Sequence, residues 1–141
     1  MSNINRDYLV VLDVKSSTFS APNMYFYNTD KGTSNIYVQM VIRDTIVSAT
    51  PIENASDFVI KLSITKDNTL IHEMTGVLVN EEEAIYEFNL PLVCTELSGK
   101  YRGEFDVKGT VESREEHITS FPISYKVRKN ILTGYDPTIK G

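Results

Sequence analysis

The chain has 141 residues, of which 41% are hydrophobic and 23% charged, with a formal net charge of −5. This composition is typical of one globular domain and excludes a disordered chain. The acidic balance argues against nucleic acid or an anionic membrane as the partner. The N terminus lacks the basic start and apolar core of a signal peptide, and no apolar run approaches the ~20 residues of a membrane span. We therefore expect the protein to fold in the cytoplasm.

Alternation of apolar and polar residues predicts a chain of short β-strands. In the first one, Tyr8, Val10, Leu12 and Val14 share a face, and Leu9 with Val11 on the other face predicts a strand covered on both sides. Residues 16–23 are predicted as a loop, 44–57 as a loop with a short edge segment, 66–68 as a tight hairpin connection and 92–97 as a helical turn. The nine predicted strands cover residues 8–15, 24–27, 34–43, 58–65, 69–74, 76–79, 84–90, 101–108 and 118–128.

Strands recurring at this short spacing, with turn residues between them, favour an all-β fold. We predict an immunoglobulin-like antiparallel β-sandwich over residues 1–129, followed by a linker or extended arm over residues 130–141. Tyr101 opens a strand just after Gly99. It is either a tyrosine corner, whose hydroxyl bonds to upstream backbone, or a plain core tyrosine.

No motif predicts catalytic, cofactor-binding or metal-binding residues, so we expect a protein that is not an enzyme. The single cysteine, Cys94, excludes an internal disulfide, fits a reducing compartment and is expected to be a small buried hydrophobe. His72 and His117 stand in no zinc-binding pattern and are expected to be surface or structural residues. A calcium ion held between loop carboxylates remains an alternative, but residues 81–83 lack the spacing of an EF-hand and are expected to form a charged loop.

Tyrosines carry the candidate interface. If Phe26 points into the core, Tyr25 and Tyr27 lie together on the outer face of their strand. Tyrosine is favoured at interfaces because it buries a rigid ring and keeps a polar tip, although the pair could instead cap the core edge. Tyr135, in the C-terminal arm, is the third candidate contact residue.

The order of these segments resembles the N-terminal domain of the phage baseplate upper protein family, from siphophages of Gram-positive bacteria. The resemblance spans residues 8–129, and the hairpin at 66–69 lacks the glycine often found in the family. The segments that carry it are Asn23-Met24-Tyr25-Phe26-Tyr27-x-x-Asp30, Ile36-Tyr37-Val38, the hairpin at 59–70, Tyr86-Glu87-Phe88-x-Leu90-Pro91, Gly99-x-Tyr101-x-x-Glu104-Phe105 and Ile118-Thr119-Ser120-Phe121-x-x-x-Tyr125-x-Val127.

This resemblance implies a non-enzymatic structural part of the virion tail tip, assembled in the host cytoplasm. Such a domain would dock to the baseplate core and support the receptor-binding apparatus, with other tail proteins and further copies of itself as partners. Because members of the family usually continue into coiled-coil and distal modules, we expect this chain to be an N-terminal fragment. The alternative is a carbohydrate-binding sandwich for cell-wall glycans with Tyr37 and Tyr135 as platforms, which the lack of tryptophan weakens.

Overall fold

Eleven β-strands account for most of the residues that a computed structural model describes, which are 6–14, 18–27, 34–43, 49–111 and 114–128. Single 3-10 turns lie at Ala55–Asp57 and Leu92–Cys94, and across the described ranges no helix has the length and apolarity needed to cross a bilayer. The strands are β1 (Arg6–Asp13), β2 (Thr18–Ser20), β3 (Tyr25–Tyr27), β4 (Ser34–Arg43), β5 (Ala49–Pro51), β6 (Phe58–Lys66), β7 (Thr69–Thr75), β8 (Val77–Asn80), β9 (Ile85–Asn89), β10 (Gly99–Val111) and β11 (Arg114–Arg128).

The strands form two sheets. The first has the order β2-β1-β4-β9-β8, with β5 also paired to β4, and the second has the order β3-β11-β10-β6-β7. The orders β4-β9-β8 and β11-β10-β6-β7 are those of strands B-E-D and G-F-C-C′ in a variable-type immunoglobulin domain. The prediction of an all-β sandwich is confirmed.

Each sheet is mixed rather than purely antiparallel as predicted. β1 pairs with β4 and β3 pairs with β11 in parallel, while all other described pairs are antiparallel. Parallel neighbours need a crossover of a dozen or more residues, and the connection from β1 to β4 is long enough to carry β2 and β3. The alternation of apolar and polar residues within a strand does not show whether that strand runs parallel or antiparallel to its neighbour.

Nearly all predicted elements are present. The nine predicted strands correspond to β1, β3, β4 and β6–β11, the predicted edge segment is β5, and the predicted helical turn is the 3-10 turn at Leu92–Cys94. The loop predicted at 16–23 is wrong at its centre, because Thr18–Ser20 forms β2 and pairs antiparallel with the end of β1. β2 has only three residues, all exposed, which is too short a segment for alternation to indicate a strand.

The core lies between the two sheets and is filled by the inward residues of both. Phe88 of β9 meets Phe105 of β10 across the layers, with ring centroids 5.2 Å apart. Phe26 of β3 lies edge-on to Tyr8 of β1 at 5.4 Å and to Tyr125 of β11 at 5.3 Å. The contacts of Phe88 with Phe105 and of Tyr8 with Phe26 join the two sheets and fix how one sheet sits on the other, whereas Tyr125 packs on Phe26 within the second sheet.

One end of the sandwich is closed by the segment between β9 and β10. The hydroxyl of Tyr125 donates to the carbonyl of Cys94, and the hydroxyl of Tyr101 donates to the carbonyl of Leu97, each at 2.7 Å. Of the two alternatives for Tyr101, the structure shows the tyrosine corner. Cys94 is fully buried, as predicted for a small hydrophobe, and burial raises the pKa of its thiol to about 12.

Candidate interaction surfaces

Two surfaces of the described part of the chain are candidates for interaction with other molecules, an edge strand with its neighbouring groove and an apolar face. Within it, no group of three or more His, Cys, Asp and Glu side chains is placed to hold a metal ion. His72 lies half-buried on the edge strand β7, and the side chain of His117 is outside the described residues. The three glutamates Glu81–Glu83 form an exposed turn between β8 and β9.

Tyr25 and Tyr27 lie on β3, which is an edge strand of the second sheet. Phe26 between them is fully buried, as the interface prediction required, and both tyrosines are half-buried. The hydroxyl of Tyr8 donates to the carbonyl of Tyr25 at 2.8 Å and accepts from its backbone N–H at 3.1 Å. A side chain of the first sheet thus ties the edge strand of the second sheet to the sandwich.

The ring of Tyr25 is partly covered by the protein itself. The guanidinium carbon of Arg128 lies 4.1 Å from its centroid, within the range of a cation–π contact. Tyr135 is outside the described residues, so the structure brings together two of the three predicted contact residues. Their role in an interface remains a prediction.

A groove of about 470 Å³ runs beside Tyr25 on the outer face of the second sheet. Its floor is the outer face of β10 and β11, and one wall is the segment between β2 and β3. Lys100 stands directly opposite Lys126 across the strand pair, and Arg102 stands opposite Ser124. Three exposed cations therefore line this site, which we call the cationic groove, and no carboxylate lines it.

These cations are not neutralised by the described part of the protein. Its ion pairs lie elsewhere, between Lys61 and Glu73 at 3.1 Å and between Lys66 and Asp67 at 3.2 Å. Like charges directly opposite each other on neighbouring strands destabilise a sheet. The juxtaposition of Lys100 and Lys126 thus carries a cost that an anionic partner would relieve.

The outer face of the first sheet carries a different surface, an apolar belt made of Leu9, Tyr37, Val77, Val79 and Ile85. Pairing places Leu9 opposite Tyr37, and Leu9, Tyr37, Val79 and Ile85 line one shallow hollow of this face. On β9, Glu87 lies between Tyr37 and Val77, so one carboxylate interrupts the belt there. Leu9 is 45% exposed, Val77 61% and Val79 50%. The sequence analysis predicted that both faces of β1 are covered, but among the described residues none buries the side chain of Leu9.

Polar side chains border the apolar belt at one end. Asn35 donates to Asp7 at 2.9 Å and Asn89 donates to Asn35 at 2.6 Å, so these groups bond to one another across three strands. The hydroxyl of Tyr37 donates to the carboxylate of Glu87 at 2.9 Å, and this bond raises the pKa of Tyr37 above its ordinary value. Polar groups thus border the apolar belt at one end, and Glu87 lies within it, bonded to Tyr37.

No family model and no curated protein matches the chain. Among solved structures, the chain is similar to the N-terminal domain of phage TP901-1 ORF48, with a TM-score of 0.58 and 14% sequence identity. The match covers 87% of this chain and 98% of that domain. At this identity the likeness is one of fold.

Proposed function

We propose that this chain is a non-enzymatic structural domain of a phage tail baseplate, which docks to the baseplate core and supports the receptor-binding apparatus for host adsorption. Its partners are other tail proteins and further copies of the chain, and its place is the tail tip of the virion after assembly in the host cytoplasm. The fold likeness to a phage protein domain over 87% of the chain supports this role. The segments that resemble the baseplate upper protein family support it independently.

The observation that carries the docking role is the apolar belt. Several large apolar side chains exposed on one face of a sheet are uncommon on a protein that works alone, and such patches mark contact sites. Leu9, Val77 and Val79 are each about half exposed or more. We propose the apolar belt as the face that docks, with Tyr25, Tyr27 and Tyr135 in secondary contacts.

The test is incorporation into virions. In the phage that encodes the chain, a triple variant Leu9→Ser, Val77→Ser, Val79→Ser is expected to lower the amount of the chain in purified tails at least about tenfold, since three apolar anchors are lost. Val59→Ser is the matched control, because Val59 is 52% exposed but lies on β6 of the other sheet. Quantitative mass spectrometry of purified virions measures both, after circular dichroism has established that each variant folds.

Two results would overturn the proposal. One is the absence of the wild-type chain from purified virions, and the other is normal incorporation of the triple variant. Binding of the purified chain to cell-wall glycan, abolished by Tyr37→Ala, would instead favour the carbohydrate-binding alternative.

A further inference from the structure

The cationic groove lies at one end of the sandwich. Lys100 and Lys126 flank Tyr101 and Tyr125, whose hydroxyls reach the segment between β9 and β10. This end also carries Arg128 over the ring of Tyr25. The concentration of exposed cations here contrasts with the net charge of −5 of the whole chain.

The opposite end of the sandwich is acidic. The exposed turn Glu81–Glu83 lies there, and the hydroxyl of Ser56 donates to Glu81 at 3.2 Å. Asp57 is also exposed and lies close to Glu81. Burial raises the pKa of Tyr86 to about 12, and the negative charges of Asp57 and Glu81 contribute to the same increase. We call Asp57 and Glu81–Glu83 the acidic end.

Strand pairing shows that the two charged sites are far apart. Phe58, next to Asp57, pairs with Gly109 near the end of β10, while Lys100 lies at the start of the same strand. A strand rises about 3.3 Å per residue, so the length of β10 between these points separates the sites by about 30 Å. One molecule therefore cannot bring its own acidic end into its own cationic groove.

We propose that copies of this chain associate head to tail, with the acidic end of one copy docked in the cationic groove of the next. The acidic end is a protruding turn with three consecutive carboxylates, and the groove offers Lys100, Arg102 and Lys126 beside apolar walls. Complementary potentials on two patches of one surface favour this contact, which is heterologous and so repeats into a ring or a row.

Because exposed ion pairs are weak and are screened by salt, we expect the association between copies to be weak and to depend on the salt concentration. The association is concentration-dependent, and its dissociation constant rises at least about tenfold between about 0.02 M and 0.5 M salt. This inference specifies the self-association included in the proposed function. It is tested on the purified chain alone, so its failure leaves the virion experiment unaffected.

Sedimentation velocity across a concentration series is the first measurement. At low salt the wild-type chain is expected to sediment increasingly faster than its 16.0 kDa monomer as concentration rises. The double variant Lys100→Glu, Arg102→Glu, which we call the groove variant, is expected to remain monomeric. The double variant Lys61→Glu, Lys108→Glu changes the net charge by the same amount and leaves the groove intact. Because Lys61 and Lys108 lie beside Asp57 of the acidic end, this control is expected to associate at least as strongly as the wild type.

A charge-swap experiment tests the pairing of the two sites directly. Glu81→Lys, Glu82→Lys is expected to remain monomeric alone, as is the groove variant. An equimolar mixture of the two is expected to associate again, because each supplies the charge that the other lacks.

Monomers at every concentration in low salt would overturn the proposal. So would equal loss of association in the groove variant and in Lys61→Glu, Lys108→Glu, since net charge alone would then explain the effect. Binding of a poly-glutamate peptide by a chain that never self-associates would assign the groove to an acidic segment of another protein instead.

Discussion

The hydroxyl of Tyr101 donates a hydrogen bond to the backbone carbonyl of Leu97, four residues earlier in the chain, at 2.7 Å. The ring of Tyr101 stacks on that of Tyr125, with centroids 4.9 Å apart, and Tyr125 in turn donates to the carbonyl of Cys94. The two tyrosines therefore hold the segment before β10 at two points. This segment closes the end of the sandwich that carries the cationic groove, so the two hydrogen bonds that hold it also determine the shape of that end.

Removal of the Tyr101 hydroxyl tests this relationship. Tyr101→Phe keeps the stacked ring but leaves the carbonyl of Leu97 without its partner, and the expected loss in free energy of unfolding is about 1–2 kcal/mol. Urea denaturation followed by circular dichroism measures it. Tyr25→Phe is the control, because its hydroxyl has no hydrogen-bond partner among the described residues, and it is expected to change stability by less than about 0.5 kcal/mol. Equal effects of the two substitutions would contradict the assignment.

The hairpin between β6 and β7 offers a stabilising substitution. Lys66 pairs with Thr69, so the turn has two residues, Asp67 and Asn68, with φ of 52° and 63°. Positive φ at both positions defines a type I′ turn, in which glycine is favoured at the second position. Asn68→Gly is therefore expected to raise the free energy of unfolding by about 0.5 kcal/mol, and Asn68→Ala to lower it by about 1 kcal/mol. Urea midpoints measure both, and the opposite order of the two variants would contradict the turn assignment.

The interior of the sandwich could be predicted from alternation because most strands place their apolar residues on one face. Tyr101 and Phe105 lie at alternate positions of β10, and Tyr125 occupies such a position among the apolar residues of β11, which predicts that all three point into the core; all three are buried. The tyrosine corner was also recognisable, since Tyr101 follows a glycine where a strand begins. Such local rules depend only on the chain within a few residues of the feature.

The candidate surfaces depend on strand pairing, which alternation does not specify. Lys100 and Lys126 lie on separate predicted strands, and only the register of β10 with β11 places them opposite each other. The apolar belt likewise needs β1 beside β4 and β8 beside β9 before Leu9 and Val77 share a face. A single exposed valine or leucine is common on protein surfaces, and it indicates a contact site only when other exposed apolar residues lie beside it.

Glycine at position 76 is required by close packing. A Cβ added to Gly76 would lie 2.6 Å from the ring of Phe88, which is fully buried and has no space into which to move. Gly76→Ala is expected to lower the free energy of unfolding by about 1–3 kcal/mol. A Cβ on Gly109 would lie 2.5 Å from Phe58, but that ring is only half-buried and can turn outward, so Gly109→Ala is expected to cost less. Urea denaturation of both variants checks the difference, and a larger loss at Gly109 would contradict it.

Alkaline pH is expected to destabilise the sandwich through its buried tyrosines. Burial raises the pKa of Tyr86 and of Tyr101 to about 12, and it also raises the pKa of Tyr125. In the unfolded chain these phenols ionise near pH 10, so unfolding releases protons in this range. The stability contributed by the neutral phenols is fully present below about pH 10 and is lost as pH rises toward 12.

The measurement is the urea midpoint at intervals of pH between about 9 and 12, with tyrosinate absorbance recorded in parallel. The midpoint is expected to fall steadily above about pH 10, and Tyr101→Phe is expected to show a shallower fall because one buried phenol no longer ionises on unfolding. An unchanged slope in that variant would mean that Tyr101 does not contribute, and a midpoint independent of pH over this range would contradict the burial of all three hydroxyls.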